Sequence, residues 1–118
     1  MRKAYYLGTC TTCKKILEQL PANHGLELQD IKQDAITEEQ LDAMKELAGD
    51  YESLFTKRSM KYRAWNLKEK TLAEKDFKEL ILKEYTFLKR PVFVIDDAIF
   101  IGNAKSQVEG MLNKLDEV

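Results

Sequence analysis

The 118 residues include only two cysteines and a single histidine. A Cys/His zinc tetrad therefore cannot be completed within one chain. One closely spaced cysteine pair does not make a secreted disulfide scaffold either, and bridging so short a loop would stabilise little. No apolar run approaches the length of a membrane span. The two prolines and five glycines are scattered, so no Pro/Gly-rich linker divides the chain, and it holds no internal repeat or low-complexity tract. Neither sign of charge is in excess. With 19 basic and 20 acidic side chains the net charge is near −1, which gives no global pull toward nucleic acid or anionic lipid. Met1-Arg2-Lys3 leads into a strand pattern rather than a signal-peptide core, so a reducing cytoplasm is the expected setting.

The cysteines that are present stand together, as Cys10-Thr11-Thr12-Cys13. They follow the apolar run Ala4-Tyr5-Tyr6-Leu7 and precede a helical pattern with Ile16, Leu17 and Leu20 on one face. Unpaired N–H groups at a helix start stabilise an anion, so a cysteine there ionises readily and becomes the better nucleophile. Cys10 is the candidate nucleophile. Cys13, about one turn along, is the candidate resolving thiol, placed to attack a mixed disulfide formed on Cys10. Two inert buried cysteines are the alternative, because a free cysteine packs like a small hydrophobe. Thr11 and Thr12 are placed to donate hydroxyl hydrogen bonds to a Cys10 thiolate or to a bound oxyanion.

The length suits one domain able to bury its own core. Lys3 to Leu7 reads as a buried strand, Thr11 to Leu20 as a helix closed by Pro21, and Leu26 to Ile31 as a second strand. A helix between two strands predicts a parallel, right-handed βαβ unit. Thr37-Glu38-Glu39-Gln40 and Thr71-Leu72-Ala73-Glu74 have capping-box spacing, and each precedes an amphipathic helix. Between them, Tyr51 to Asn66 reads as a short helix around Ser53 and Leu54 followed by an irregular loop. Pro91 to Ile95 and Ile99 to Gly102 flank Asp96-Asp97-Ala98 as an antiparallel hairpin, before a last helix carrying Val108, Met111, Leu112 and Leu115. This β-α-β, helices, β-β-α order is that of a thioredoxin-like α/β fold with a helical insertion. The thioredoxin-like part is residues 1–34 and 86–118, and the insertion is residues 35–85. Pro91, opening a hairpin strand, marks a cis bond or an edge position.

Several other residues have structural readings. His24 is expected in a solvated turn. Asp96 and Asp97 supply turn geometry, and Tyr62 and Trp65 pack around the insertion. The basic run from Lys57 to Arg63 suits either a solvated loop or an anionic partner.

Three segments together resemble the ArsC/Spx branch of thioredoxin-like proteins over essentially the whole chain. They are Tyr6-Leu7-Gly8-Thr9-Cys10-Thr11-Thr12-Cys13-Lys14-Lys15, Phe55-Thr56-Lys57-Arg58-Ser59 and Leu88-Lys89-Arg90-Pro91-Val92. The resemblance implies a cis Pro91 facing the cysteines, a nucleophilic Cys10, and a Cys13 matching the second cysteine of the Spx-type redox switch. It implies an anion-contacting role for Arg90, whose guanidinium suits a tetrahedral oxyanion, and a substrate-side role for Arg58. It also implies a thiol-disulfide oxidoreductase coupled to glutathione, glutaredoxin or thioredoxin, with no bound cofactor or metal. The family's reductases carry a further arginine on the second hairpin strand. Here the chain reads Phe100-Ile101-Gly102-Asn103-Ala104-Lys105, so arsenate reduction itself is not expected. The alternative the resemblance offers is a Spx-like redox-sensing regulator that binds the RNA polymerase α C-terminal domain.

Overall fold

The computed structural model describes residues 2–117. The chain forms two compact units, Met1–Ala35 with Arg90–Val118, and Ile36–Lys89. The first is discontinuous because the chain leaves it after its second strand and returns at Arg90. Residues 86–89, which the sequence reading places in the thioredoxin-like part, make their contacts in the second unit. Phe55 bridges Leu88, the Thr56 N–H donates to the Phe87 carbonyl at 2.8 Å, and the Lys89 N–H donates to the Leu54 carbonyl at 2.8 Å.

The first unit contains β1 (Arg2–Tyr6), α1 (Thr11–Leu17), β2 (Glu27–Asp30), β3 (Val92–Ile95), β4 (Ala98–Ile101) and α5 (Lys105–Leu115). Its sheet runs in the order β2-β1-β3-β4. β1 is parallel to β2 and antiparallel to β3, which is antiparallel to β4. This is the thioredoxin-like arrangement. Ala4, Ile16, Leu26, Phe93, Ile95, Val108 and Met111 form one buried cluster joining the sheet to α1 and α5. The central position of β3 explains why all four of its residues are buried. At the hairpin apex Asp96 takes a left-handed φ of 57°, which a short polar side chain tolerates. α1 ends at Leu17 rather than Leu20, since the bonds Gln19 N–H to Ile16 O and Leu20 N–H to Leu17 O tighten the last turn into three-residue steps.

The second unit contains α2 (Glu38–Ala48), α3 (Met60–Ala64) and α4 (Glu74–Lys83), with single 3-10 turns at Glu52–Leu54, Leu67–Glu69 and Tyr85–Phe87. Phe55 is its aromatic centre, stacked on Phe87 at 5.0 Å and tilted against Phe77 at 4.9 Å. Thr37 forms the expected capping box with Gln40, each side chain meeting the other's backbone N–H at 3.1 Å. The second expected box does not form at Thr71. The Glu74 carboxylate instead takes the N–H groups of Tyr51 and Glu52, and the N-cap of α4 is Ala73, whose N–H donates to Asp76 Oδ2 at 2.8 Å. α3 replaces part of the expected irregular loop. No helix among the described residues is long and apolar enough to cross a membrane.

Candidate functional site

β1 delivers the chain through Leu7, Gly8 and Thr9 to Cys10, whose N–H donates back to the Leu7 carbonyl at 3.0 Å. Gly8 lies against the Asp30 side chain. A Cβ at this position would run into the Asp30 carboxylate on the neighbouring strand. Cys10 itself is extended, with φ −92° and ψ 114°, and occupies the N-cap of α1. Thr11, Thr12 and Cys13 are then the first three helical residues, and their N–H groups have no partner inside the helix.

Cys10 therefore sits where a serine or aspartate usually caps a helix. Its neutral side chain makes no full capping hydrogen bond. Partial burial opposes its ionisation, but this is outweighed by the Cys13 and Thr12 backbone N–H groups, the Cys13 thiol and the Arg90 charge, so its pKa is lowered. Cys13 is shifted in the opposite sense. It is fully buried, and desolvation is the main reason its pKa is pushed up to about 11, with its hydrogen bond to Cys10 acting in the same sense. The pair is thus a readily ionised thiol beside one that stays protonated.

Arg90 reaches the pair through the sheet. Antiparallel pairing of Tyr5 with Val92 sets the start of β3 beside the end of β1, so the residue two before β3 lies next to the turn that carries Cys10. Its Nε is buried, and its charge favours the thiolate at both cysteines. The Arg90–Pro91 peptide is cis, and the buried Pro91 accepts from the Gly102 N–H at 2.9 Å.

The structure therefore brings Cys10, Cys13 and Arg90 into one electrostatic group, with Pro91 adjoining. Thr11 and Thr12 are exposed, and the contribution seen from Thr12 is its backbone N–H rather than its hydroxyl. Arg58 belongs to the second unit, where it is exposed and its N–H donates to Thr56 Oγ1 at 3.2 Å. His24 is tied into its turn rather than simply solvated, because its Nδ1 accepts from the Leu26 N–H at 2.8 Å. Among the described residues no three histidine, cysteine, aspartate or glutamate side chains cluster to hold a metal.

The sequence profile of the ArsC family matches residues 5–111. The chain belongs to the ArsC family. It is 34% identical over 107 residues to the uncharacterized protein YusI of Bacillus subtilis (strain 168), covering 86% of this chain and 87% of YusI. Its structure is similar to that of SACOL0876 from Staphylococcus aureus COL, with a TM-score of 0.74 at 32% identity, covering 93% of this chain and 97% of the other. It also shares its fold with a Bacteroides fragilis protein described as ArsC family related, with a TM-score of 0.79 at 24% identity over 93% and 96% of the two chains. In this ArsC-family chain Lys105 opens α5, where it is exposed and its Nζ lies 3.8 Å from Glu109 Oε1, one helical turn further on.

Proposed function

We propose that this ArsC-family protein is a cytoplasmic thiol-disulfide oxidoreductase, with Cys10 attacking and Cys13 resolving. What supports this reading is the placement of Cys10 at the N-cap of α1, among the Cys13 and Thr12 N–H groups and the Arg90 charge, with the buried Cys13 three residues on, a placement that lowers the Cys10 pKa and raises that of Cys13. The Cys10 thiolate attacks one sulfur of a substrate disulfide, forming a mixed disulfide and expelling the other sulfur as a thiolate that takes up a proton. Cys13 then gives up its proton and attacks the Cys10 sulfur, releasing the second substrate thiol and leaving a Cys10–Cys13 disulfide. Two electrons have passed from the protein to the substrate. Glutathione, glutaredoxin or thioredoxin returns them, and no bound cofactor is needed. Arg90 stabilises the Cys10 thiolate and any anionic group on the substrate, with Thr11, Thr12 and Pro91 bordering the position.

The test is reduction of a small disulfide or a glutathione mixed disulfide, coupled to glutathione and glutaredoxin or to thioredoxin. Turnover that vanishes in Cys10→Ser, and in Cys13→Ser stops at a covalent mixed disulfide, is the expected result. No turnover with any donor, together with retention of the RNA polymerase α C-terminal domain in a pull-down, would replace this reading with the redox-sensing regulator.

A further inference from the structure

The charge of this nearly neutral chain is unevenly placed. Residues 57–70 carry six basic side chains and one acidic one, and the remainder of the chain is net acidic. Some lysines elsewhere find carboxylates, as in Lys3 with Glu27 at 2.8 Å, Lys78 with Asp42 at 3.0 Å and Lys114 with Glu117 at 3.0 Å. Among the described residues, Lys57, Arg58, Lys61, Arg63 and Lys68 enter no ion pair. Lys57, Arg58, Arg63 and Lys68 line a groove of about 890 Å³ beside α3, with Glu69 its one carboxylate. Clustered charges of one sign around a concavity raise the local concentration of the opposite sign.

The groove also has an apolar side and a fixed frame. Met60 lines it with 88% of its surface exposed, and Tyr62 lies beside it. A helix of five residues does not persist on its own propensity. α3 is held at its start by the Ser59 side chain, which accepts from the Lys61 N–H at 3.2 Å and meets Thr86 Oγ1 at 2.7 Å; that hydroxyl in turn donates to Glu84 Oε2 at 2.7 Å. Its far end is held by Tyr62 and Trp65, edge-on to Phe55 at 6.2 Å and to Phe87 at 5.5 Å. Arg63 is therefore presented on a helix fixed at both ends, with Lys57 and Arg58 just before it and Lys68 in the 3-10 turn after it, and this order lowers the entropy cost of binding.

We propose that this groove docks an acidic segment of a protein partner, with carboxylates against Lys57, Arg63 and Lys68 and an apolar side chain against Met60 and Tyr62. A flexible, polarizable methionine suits varied apolar side chains. Nucleic acid fits less well. Trp65 spends its ring on Phe87 and Lys83 rather than offering an open face to bases. The proposal is independent of the thiol chemistry, since none of Lys57, Met60, Arg63 or Lys68 belongs to the cysteine site.

Backbone amide NMR of the full chain, titrated with a short Glu/Asp peptide containing one Leu and one Phe, tests it. Shifts confined to residues 57–70 are expected, absent with the Gln/Asn version of the peptide and suppressed near 1 M salt, where the screening length is about 3 Å. The exposed double variant Arg63→Glu/Lys68→Glu should bind about tenfold more weakly or worse, and Met60→Ser about threefold more weakly. If the charge reversal unfolds the chain, Arg63→Gln/Lys68→Gln should still weaken binding by an intermediate factor. No shifts at millimolar peptide, unchanged binding by both pairs of variants, or tighter binding of a single-stranded oligonucleotide at the same amides would overturn the proposal.

Discussion

The Cys13 thiol donates to the Cys10 sulfur across one turn of α1, and burial of the donor together with backbone N–H groups around the acceptor puts the shared negative charge on Cys10. Alkylation of Cys13→Ser, in which a hydroxyl keeps a donor at that position, should follow a titration with its midpoint below the free-cysteine value of about 8.5. The rate rises with pH through that lowered pKa and then levels. Arg90→Gln removes a favourable charge, so its midpoint should move upward, and alkylation at neutral pH should slow by about two- to tenfold. A midpoint at or above the free-cysteine value in Cys13→Ser would remove Cys10 as the nucleophile.

Mild peroxide treatment should convert both free thiols to an intramolecular disulfide, with peroxide reduced to water. A sulfenic acid formed on Cys10 has Cys13 beside it as a neighbour at high effective concentration. Intact-mass spectrometry should then show the loss of about two hydrogens and no adduct. In Cys13→Ser the same treatment should leave Cys10 carrying added oxygen or a solution thiol. A stable sulfinic acid in the unsubstituted protein, or an intermolecular dimer, would show that the two sulfurs do not meet.

The strands, the helix after Cys10, the cap at Thr37 and the final hairpin were legible because each rests on local information: period, spacing or turn residues. The group made by Cys10, Cys13 and Arg90 was only half legible. The cysteine pair is local, but Arg90 joins it through the β1–β3 register, so the sequence pointed to it through family resemblance alone. α3 was not legible at all, since its five residues owe their helical state to Phe55, Phe87 and Thr86, which are distant in sequence or carry no helix signal. The false cap at Thr71 has the same origin. Its spacing was right, but the Glu74 carboxylate is taken by Tyr51 and Glu52, 23 and 22 residues away.

Ser59→Ala should accordingly affect α3 out of proportion to its size. The substitution removes the acceptor for the Lys61 N–H and leaves Thr86 without its short contact. A cost of about 1–2 kcal/mol is expected in urea unfolding, while Ser59→Thr should retain most of the stability. Hydrogen exchange should show the loss first at amides 61–66, because an element held by tertiary contacts opens locally before the rest. Uniform loss of protection across the chain would mean that α3 is not an independently opening segment.

The departure on the second hairpin strand decides the final prediction. Arg90 is retained in the cysteine group, but the chain reads Phe100 to Lys105 where the family's reductases place a further arginine. Lys105, the nearest cation in the sequence there, begins α5 and lies 3.8 Å from Glu109. A lysine does not reproduce a planar guanidinium fork. Charge-assisted hydrogen bonds contribute about 1.5–3 kcal/mol each, so loss of even one bond of the missing fork should lower arsenate turnover by about one to two orders of magnitude or more. In a glutaredoxin- and glutathione-coupled assay, one preparation should therefore reduce a small disulfide measurably and arsenate weakly or not at all. Replacing Lys105 with Arg should recover little, because the residue sits on α5 rather than on β4. Arsenate turnover at ordinary enzyme rates by the unsubstituted protein would show that another group supplies the missing fork, and would make arsenate the substrate.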